Sequence, residues 1–337
     1  MTKITVLTAI YNSEKYLSKC LDSLCEQTLK DIQIICIDDC STDSSPNILK
    51  EYAERDNRIV CIRMEQNSGQ AIARNKGLEI ADGEYITMLD SDDWLAPDSL
   101  EKAYMSLKKN NEFECAVFRL LQYYEDTGNI IPFINRTQKN VLNGEEAFKL
   151  SLDWKLHGLY VIKADIHKSY PYDTSCRLFS DDNTTRLHYL HSNKVVFCDG
   201  EYIYRKHTES MTNACSILRF DYMEANLSMK NTLIAEITEG NITNPEDILD
   251  FYEEHRWLNL VGMYWYYYKH KEQFNESECA IIEKRIASML KTIEKKRIAP
   301  STKYKLGYYP FKSYKTFRFV ANFYFGLRNI LWKLKVL

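Results

Sequence analysis

The chain has 337 residues, of which 45% are hydrophobic and 27% charged, as in an ordinary globular protein of about two domains or of one domain with an extension. Its 44 Lys and Arg against 47 Asp and Glu give a net charge of −3, which argues against a general nucleic-acid binder. Only 11 Gly and 7 Pro are present, so long disordered linkers are not expected.

Apolar strands and amphipathic helices alternate through the N-terminal part of the chain. A β-branched run at 4–10 predicts a buried strand, and apolar residues at helical spacing then predict a helix over about 14–27. The alternation continues with strands at 32–37, 59–64 and 85–89, a helix capped by Ser44 or Ser45 with Pro46 in its first turn, and helices at 69–81 and 97–109. This order predicts an α/β fold with a doubly wound, parallel sheet.

The later part of the chain changes character. A strand is predicted at 115–124, and the region up to about 213 mixes strands with helices. Residues 224–296 are predicted to be mainly helical, with a band of five consecutive aromatic residues at 264–268.

Polar clusters follow three of the predicted strands. Tyr11 and Asn12 end the first strand, Asp38 and Asp39 end the second, and an acidic turn at 90–93 ends the strand at 85–89. Ligands of doubly wound sheets bind outside the carboxyl ends of the strands, so we expect the three clusters to converge on one crevice.

The acidic turn is the strongest chemical signal. An apolar strand runs into three carboxylates within four residues, in the segment YITMLDSDDW. Like charges so close repel one another unless a cation or protons compensate, and oxygen ligands suit Mg²⁺ or Mn²⁺. Such an ion could hold a diphosphate as it leaves. The alternative is a solvated acidic turn that caps the next helix.

Two further motifs point to a nucleotide. In IDDCSTD a carboxylate could accept the N–H of a nucleobase, although a phospho-acceptor aspartate or a capped helix start would give the same pattern. In NSGQAIARNKGL the side chain of Arg74 could meet a base or phosphate, although a lone helical Arg is more often solvated. The chain contains neither G-x-G-x-x-G nor G-x-x-x-x-G-K-[ST], which disfavours the usual dinucleotide and P-loop sites.

Taken in order and spacing, these segments resemble the family-two inverting glycosyltransferases of the GT-A fold. The resemblance runs closely from Val6 to about Asp98 and more loosely to about Thr212. It implies a doubly wound, mostly parallel sheet with a mainly helical C-terminal extension. We expect a nucleotide-sugar-binding half at 1–110, an acceptor-binding half at 111–215, and a helical extension with a basic tail at 216–337.

The resemblance also implies roles for residues at the donor. Tyr11 would lie against the base, which would be uracil, and Asp39, with Asp38 beside it, would hydrogen-bond that base. Arg74 would approach the base or the diphosphate, and Asp90 would touch the ribose or the metal.

A metal site of Mn²⁺ or Mg²⁺ is implied in the same way. Asp92 would be its main ligand, and Asp90 is a second candidate. The segment YIYRKHTESMT resembles a later motif of the family, in which His207 would bind the metal or the diphosphate and Arg205 the diphosphate. A His in a polar loop is, however, often only solvated.

Inverting transfer also needs a base that deprotonates the acceptor hydroxyl. The segment FSDDNTTRLHYL resembles the family's acidic pair ahead of a helix, where the second carboxylate is the base. This predicts Asp182 as the catalytic base. The alternative is that Asp182 caps the helix that begins at Asn183.

The C-terminal tail is basic, aromatic and apolar. Residues 295–337 hold 11 Lys or Arg and no Asp or Glu, so the rest of the chain carries −14. Apolar side chains recur near helical spacing in the tail, at Phe319, Phe323, Leu327, Ile330, Leu331 and Leu334. This pattern is typical of an interfacial helix on an anionic membrane, and the alternative is a helix packed on the protein's own core or on a partner.

Cysteine usage and the N-terminus bear on location. The ten cysteines include no C-x-x-C pair, and Cys20, Cys36, Cys61 and Cys115 fall in apolar segments, so we expect small buried side chains in a reducing compartment. The opening MTKITVLTAIYN lacks the features of a signal peptide, and no run of about 18 apolar residues occurs. A cytoplasmic protein is expected, with membrane contact only as a peripheral protein on the inner face.

The leading hypothesis is an inverting, metal-dependent glycosyltransferase. Its partners would be a nucleotide-diphospho-sugar, with UDP as the nucleotide, and a glycan or lipid-linked acceptor in bacterial capsule, O-antigen, lipooligosaccharide or exopolysaccharide synthesis. A nucleotidyltransferase acting on sugar phosphates is a second possibility, although such enzymes usually carry a Gly-rich loop after the first strand, where this chain has TAIYNSEKY. A non-catalytic glycan- or membrane-binding module is the third.

Overall fold

The computed structural model describes residues 2–207, 215–303, 311 and 313–333, with only the backbone at 180 and 331–333. The chain forms two compact units, Met1–Asn213 and Ala214–Leu337. Each unit is described by itself below.

The first unit is built around a ten-stranded sheet. Its strands are β1 (Ile4–Ile10), β2 (Ile32–Asp38), β3 (Ile59–Arg63), β4 (Tyr85–Met88), β5 (Trp94–Leu95), β6 (Phe113–Tyr124), β7 (Asn129–Pro132), β8 (Val141–Asn143), β9 (Tyr160–Lys163) and β10 (Lys194–Lys206). Its helices are α1 (Leu17–Cys25), α2 (Ser45–Arg55), α3 (Gln70–Leu78), α4 (Ser99–Leu107), α5 (Gly144–Leu152), α6 (Ala164–Ser169) and α7 (Ser180–Leu190).

The strand order is β3-β2-β1-β4-β9-β6-β10-β5, with β7 beside β6 and β8 beside β10. Strands β1 to β4 are parallel, which confirms the doubly wound prediction. Strand β9 is antiparallel to both β4 and β6, so β6 and β10 run in the direction of β4. The carboxyl ends of β1, β2, β4, β6 and β10 therefore lie at one edge of the sheet.

Helices cover both faces of the sheet, and this explains the continuous apolar strands. Alternate residues of a strand face opposite sides, so Ile34 of β2 packs in a core with α1, α2 and α4, whereas Ile35 packs with α3 and α6. Strand β3 lies at the sheet edge, and Cys61 there is exposed. The prediction that Cys61 is buried is therefore wrong, while Cys20, Cys36 and Cys115 are buried as expected.

Element boundaries differ from the prediction most clearly at α1. This helix begins at Leu17 rather than near Glu14, and residues 14–16 form a turn before it, in which Glu14 N–H donates to Asp43 Oδ2 at 2.9 Å. Helix α2 has Pro46 in its first turn, as predicted.

The second unit is helical in its described residues, which confirms the predicted helical extension. After a 3₁₀ turn at Ile217–Asp221 come α8 (Tyr222–Thr238), α9 (Pro245–His270), α10 (Glu276–Thr292), α11 (Pro300–Lys303) and α12 (Tyr314–Lys333). Aromatic side chains fill its core, among them Trp257 and Tyr264 of α9 and Phe317 and Phe325 of α12. None of the helices among the described residues has both the length and the apolarity to cross a bilayer.

A buried ion cluster lies inside this helical unit. Glu253 Oε1 is 2.5 Å from Nη1 of Arg256 and 2.9 Å from Nζ of Lys230, and all three side chains are almost fully buried. Lys230 Nζ also lies 2.8 Å from Glu294 Oε1, next to the end of α10. Removing one charge would leave its partners buried and uncompensated.

Candidate functional site

Two turns at the carboxyl edge of the sheet, at 11–14 and 39–45, are bonded to each other and are called the paired turns below. Asn12 N–H donates to Ser41 Oγ at 3.0 Å, and its side-chain Oδ1 accepts from Thr42 N–H at 2.8 Å. Ser13 N–H donates to Ser45 Oγ at 2.9 Å. These bonds fix the edge at which Tyr11, with half of its surface exposed, presents its ring.

The two carboxylates after β2 are buried and occupied by protein donors. Asp39 accepts from the backbone N–H groups of Ser68 and Gly69, at 2.8 and 2.7 Å. Gly69 has a φ of 92°, so this turn needs a glycine before α3 begins. Asp38 accepts from Ser41 N–H at 3.0 Å and lies 2.9 Å from Arg63 Nη1. Each carboxylate thus already holds a loop in place. A nucleobase N–H would have to donate to one of the remaining lone pairs of these carboxylates.

Arg74 reaches the acidic turn from inside α3. Its side chain is 1% exposed and forms an ion pair with Asp90 Oδ1. The guanidinium also lies 5.4 Å from the ring centre of Tyr172. Burial raises the pKa of Asp90 to about 6, against the lowering effect of Arg74 and with a further rise from Asp92. The Nε and Nη1 atoms of Arg74 are buried and have no hydrogen-bond partner within the described residues, which leaves two unused donors beside the acidic turn.

The remaining two carboxylates of the acidic turn are used differently. Asp93 is fully buried and accepts from Tyr202 Oη–H and from Arg205 N–H, both at 2.8 Å. These bonds tie the turn to β10, and burial, with Asp92 and Asp90 nearby, raises the pKa of Asp93 well above its usual range. Asp92 is one-third exposed, and its Oδ2 lies 2.9 Å from His207 Nε2.

The guanidinium of Arg205 is enclosed by three aromatic rings. It lies 4.7 Å from the ring centre of Tyr16, 4.8 Å from that of Trp94 and 5.6 Å from that of Tyr123. Its Nε donates to the carbonyl oxygen of Asp92 at 2.8 Å. In this arrangement Arg205 holds the acidic turn and supplies positive charge beside it.

The acidic pair Asp181 and Asp182 lies in the first turn of α7. Asp182 is mostly buried, and its Oδ2 lies 3.6 Å from Nη2 of the buried Arg186. Burial raises the pKa of Asp182 to about 7, despite Arg186, and Asp181 raises it further. Asp181 lines a small cavity with Tyr172 and adds to the rise in the pKa of Asp90. Asp181 therefore faces the acidic turn more directly than Asp182 does.

Comparison with known proteins places the chain in a family. The profile described as "Glycosyl transferase family 2" matches residues 5–161. Glycosyltransferase GlyG of Streptococcus pneumoniae serotype 4 is 30% identical over 219 residues, which are 62% of this chain and 72% of GlyG. The chain belongs to glycosyl transferase family 2.

Two other glycosyltransferases are similar over shorter shares of their length. Glycosyltransferase GlyA of the same S. pneumoniae strain is 33% identical over 258 residues, 70% of this chain. A poly(ribitol-phosphate) beta-glucosyltransferase of Bacillus spizizenii is 45% identical over 111 residues, 32% of this chain. The chain spans only 35% of GlyA and 18% of the glucosyltransferase.

A solved structure confirms the GT-A fold of this family 2 member. The crystal structure of Staphylococcus aureus TarS 1-349 in complex with UDP-GlcNAc has a TM-score of 0.74 at 17% identity. The superposition covers 96% of this chain and 91% of that chain. At this identity, the likeness establishes the fold alone.

The residues expected to hold a metal come together only in part. Asp92 and His207 face each other, and a carboxylate with an imidazole is a suitable donor set for Mn²⁺. Asp90 is paired with Arg74 instead. Across the described residues, no group of three or more His, Cys, Asp or Glu side chains is arranged to hold a metal ion. Two protein ligands would fit a cation whose other positions are filled by diphosphate oxygens and water.

Reasoning from the sequence missed several residues of the site. It gave Asp93 no role and overlooked Tyr202, whose hydroxyl donates to Asp93 and also accepts from Asp90 N–H at 3.2 Å. It also overlooked Tyr172, against the face of which Arg74 lies. Tyr202 could have been found, because it is an aromatic residue three positions before Arg205 in the segment YIYRKHTESMT. Ser210 and Thr212 of the later motif lie outside the described residues.

Proposed function

We propose that this protein is an inverting, metal-dependent glycosyltransferase that moves a sugar from a UDP-sugar to a hydroxyl of a glycan or lipid-linked acceptor in bacterial surface-polysaccharide synthesis. The observation that carries this proposal is the acidic turn. It joins a partly exposed carboxylate, Asp92, to His207 on one side and, through Asp90, to the buried guanidinium of Arg74 on the other.

The donor and pathway are supported by what relatives bind and make. TarS is seen with UDP-GlcNAc, and one relative is a poly(ribitol-phosphate) beta-glucosyltransferase. In this chain the base would lie against the exposed ring of Tyr11, within reach of Asp39 and Asp38. The diphosphate would extend towards Arg74, whose Nε and Nη1 have no partner in the described part of the chain.

The metal proposal rests on Asp92 and His207, with Asp90, which is paired with Arg74, as a third candidate. A bound Mn²⁺ or Mg²⁺ would neutralise the negative charge that develops on the leaving diphosphate. Arg205 would add positive charge from the other side of the turn, since its guanidinium lies against the Asp92 backbone. This combination is a means of stabilising an anionic leaving group.

The transfer step needs one proton acceptor. The acceptor hydroxyl oxygen forms a bond to the anomeric carbon, while the bond from that carbon to the diphosphate oxygen breaks and UDP leaves. The hydroxyl proton passes to the carboxylate of Asp182, whose pKa of about 7 suits a base near neutral pH. Attack opposite the leaving group inverts the configuration of the anomeric carbon.

The test is UDP release from a panel of UDP-sugars by the full chain, with Mn²⁺, with Mg²⁺ and with EDTA. We expect metal-dependent release that Asp92→Asn abolishes. The matched control is Asp98→Asn, because Asp98 is an exposed carboxylate whose ion pair is with Lys102 on the surface. Full activity of Asp92→Asn, or equal rates in EDTA, would overturn the metal assignment.

The same assay separates the competing functions. Release of pyrophosphate from a nucleoside triphosphate and a sugar phosphate would identify a nucleotidyltransferase. Glycan binding with neither product would identify a non-catalytic module.

A further inference from the structure

One face of helix α12 is buried against other helices of its own unit. Phe317, Ala321 and Phe325, spaced by four residues, are each at most 1% exposed. The Phe317 ring centre lies 5.9 Å from that of Trp257, and the Phe325 ring centre lies 4.5 Å from that of Trp265. This face fixes the helix to α9, as in the alternative reading of the tail as a helix packed on the protein's own core.

The opposite face of α12 is also apolar, and we call it the outer stripe: Phe319, Phe323, Leu327 and Ile330. These side chains are 75%, 70%, 42% and 57% exposed, respectively. At 100° per residue they lie within an arc of about 80°, and at 1.5 Å per residue they extend over roughly 16 Å. A helix packed on a core normally turns polar residues to water, so the outer stripe indicates a second contact surface. Leu334 and the side chain of Leu331 lie outside the described residues.

The segment that contains the outer stripe has charges of one sign only, although Arg318 is paired with Glu283 of α10. Residues 295–337 carry 11 Lys or Arg and no Asp or Glu. Lys315 is exposed one turn before Phe319 and lies beside the outer stripe on the helix surface. An apolar stripe with an exposed Lys beside it, on a segment without acidic residues, matches the interface of a bilayer with anionic headgroups.

We propose that the outer stripe docks on the surface of an anionic lipid bilayer, with α12 lying in the plane of the interface. The buried face of α12 then anchors the helix to the protein, while the outer stripe enters the boundary between headgroups and acyl chains. A second copy of the chain fits the surface less well, because two copies of a basic segment without acidic residues would face one another.

The experiment is co-sedimentation of the full chain with vesicles of phosphatidylcholine alone or with phosphatidylglycerol added. We expect binding to the anionic vesicles that weakens as salt is raised. Burial of one large apolar side chain changes an equilibrium constant roughly ten- to a hundredfold, so Phe319→Ser with Phe323→Ser should lower the partition coefficient at least about tenfold.

A matched control is Ile130→Ser with Ile131→Ser, which removes two half-exposed apolar side chains from the edge strand β7. It should bind vesicles like the unmodified chain. Both double variants should keep the unfolding temperature and UDP release of the parent, since the changed residues are exposed. This readout is independent of transfer activity.

Three results would overturn the proposal. One is the absence of binding to anionic vesicles at low salt, and another is equal binding by the Phe319→Ser, Phe323→Ser variant. The third is a change from dimer to monomer in that variant, seen by analytical ultracentrifugation without lipid, which would assign the outer stripe to a second copy of the chain.

Discussion

The pH dependence of sugar transfer is the sharpest test of the base assignment. Burial raises the pKa of Asp182 from its usual value of 3.8 to about 7. A base acts only when deprotonated, so kcat/KM should fall as pH decreases through about 7, by roughly tenfold for each further unit. A solvent-exposed aspartate in the same role would keep its rate down to a pH of about 4.

The assay is UDP release in the presence of acceptor, followed from about pH 5.5 to 9 with saturating metal. Asp182→Asn should lower kcat by roughly 10²–10⁴-fold and abolish the inflection near neutral pH. Asp181→Asn is the matched control, because it changes the neighbouring carboxylate on the same helical turn.

Stability measurements separate a chemical effect from misfolding. Because the folded-state pKa of Asp182 is raised, its protonated form favours the folded state at low pH, and that stabilisation is lost as pH rises through about 7. A neutral Asn at this position should therefore leave the unfolding temperature at pH 8 unchanged or higher. A rate that does not change between about pH 5.5 and 8 would refute the assignment of Asp182 as the base. An active Asp182→Asn variant together with an inactive Asp181→Asn variant would assign the role of base to Asp181.

Three further predictions concern buried polar groups. Tyr202→Phe removes a hydrogen-bond donor to Asp93 and should lower the free energy of unfolding by about 1.5–3 kcal/mol in chemical denaturation. An unchanged denaturation midpoint would contradict the view that Tyr202 stabilises the acidic turn. Arg74→Gln should weaken UDP binding roughly tenfold or more in calorimetry, and it should raise the pKa of Asp90 further because the ion pair is lost. Unchanged UDP affinity would exclude Arg74 from the donor site. Glu253→Gln should cost roughly 3–5 kcal/mol, because the buried Arg256 loses its anion and Lys230 keeps only Glu294. Thermal scans that match the parent would argue against this.

The first half of the sheet could be predicted from the sequence because its signals are local. Strands β1 to β4 are short apolar runs with helical periodicity between them, so both their existence and their parallel order follow. The insertion of β9 between β4 and β6 could not be foreseen, since it depends on pairing between segments about 40 to 80 residues apart, and four-residue apolar runs give no register.

Site residues were predicted by type and position, but the interactions they make were not. The sequence placed Asp39 and Arg205 near a donor, yet it gave no sign that Asp39 accepts from two backbone amides or that Arg205 sits among three rings. Those contacts depend on residues distant in the chain. Their roles towards donor and metal stay predictions.

The paired turns limit how this site can be exchanged between proteins. Each turn supplies the acceptors for the other's amides: Glu14 N–H donates to Asp43, and Ser44 N–H donates back to Glu14 Oε2 at 2.8 Å. A chimera that imports one turn alone would lose these matched pairs and leave backbone groups unsatisfied. Segments 11–14 and 39–45 therefore behave as one structural unit. A chimera designed to change the donor preference should replace both segments together.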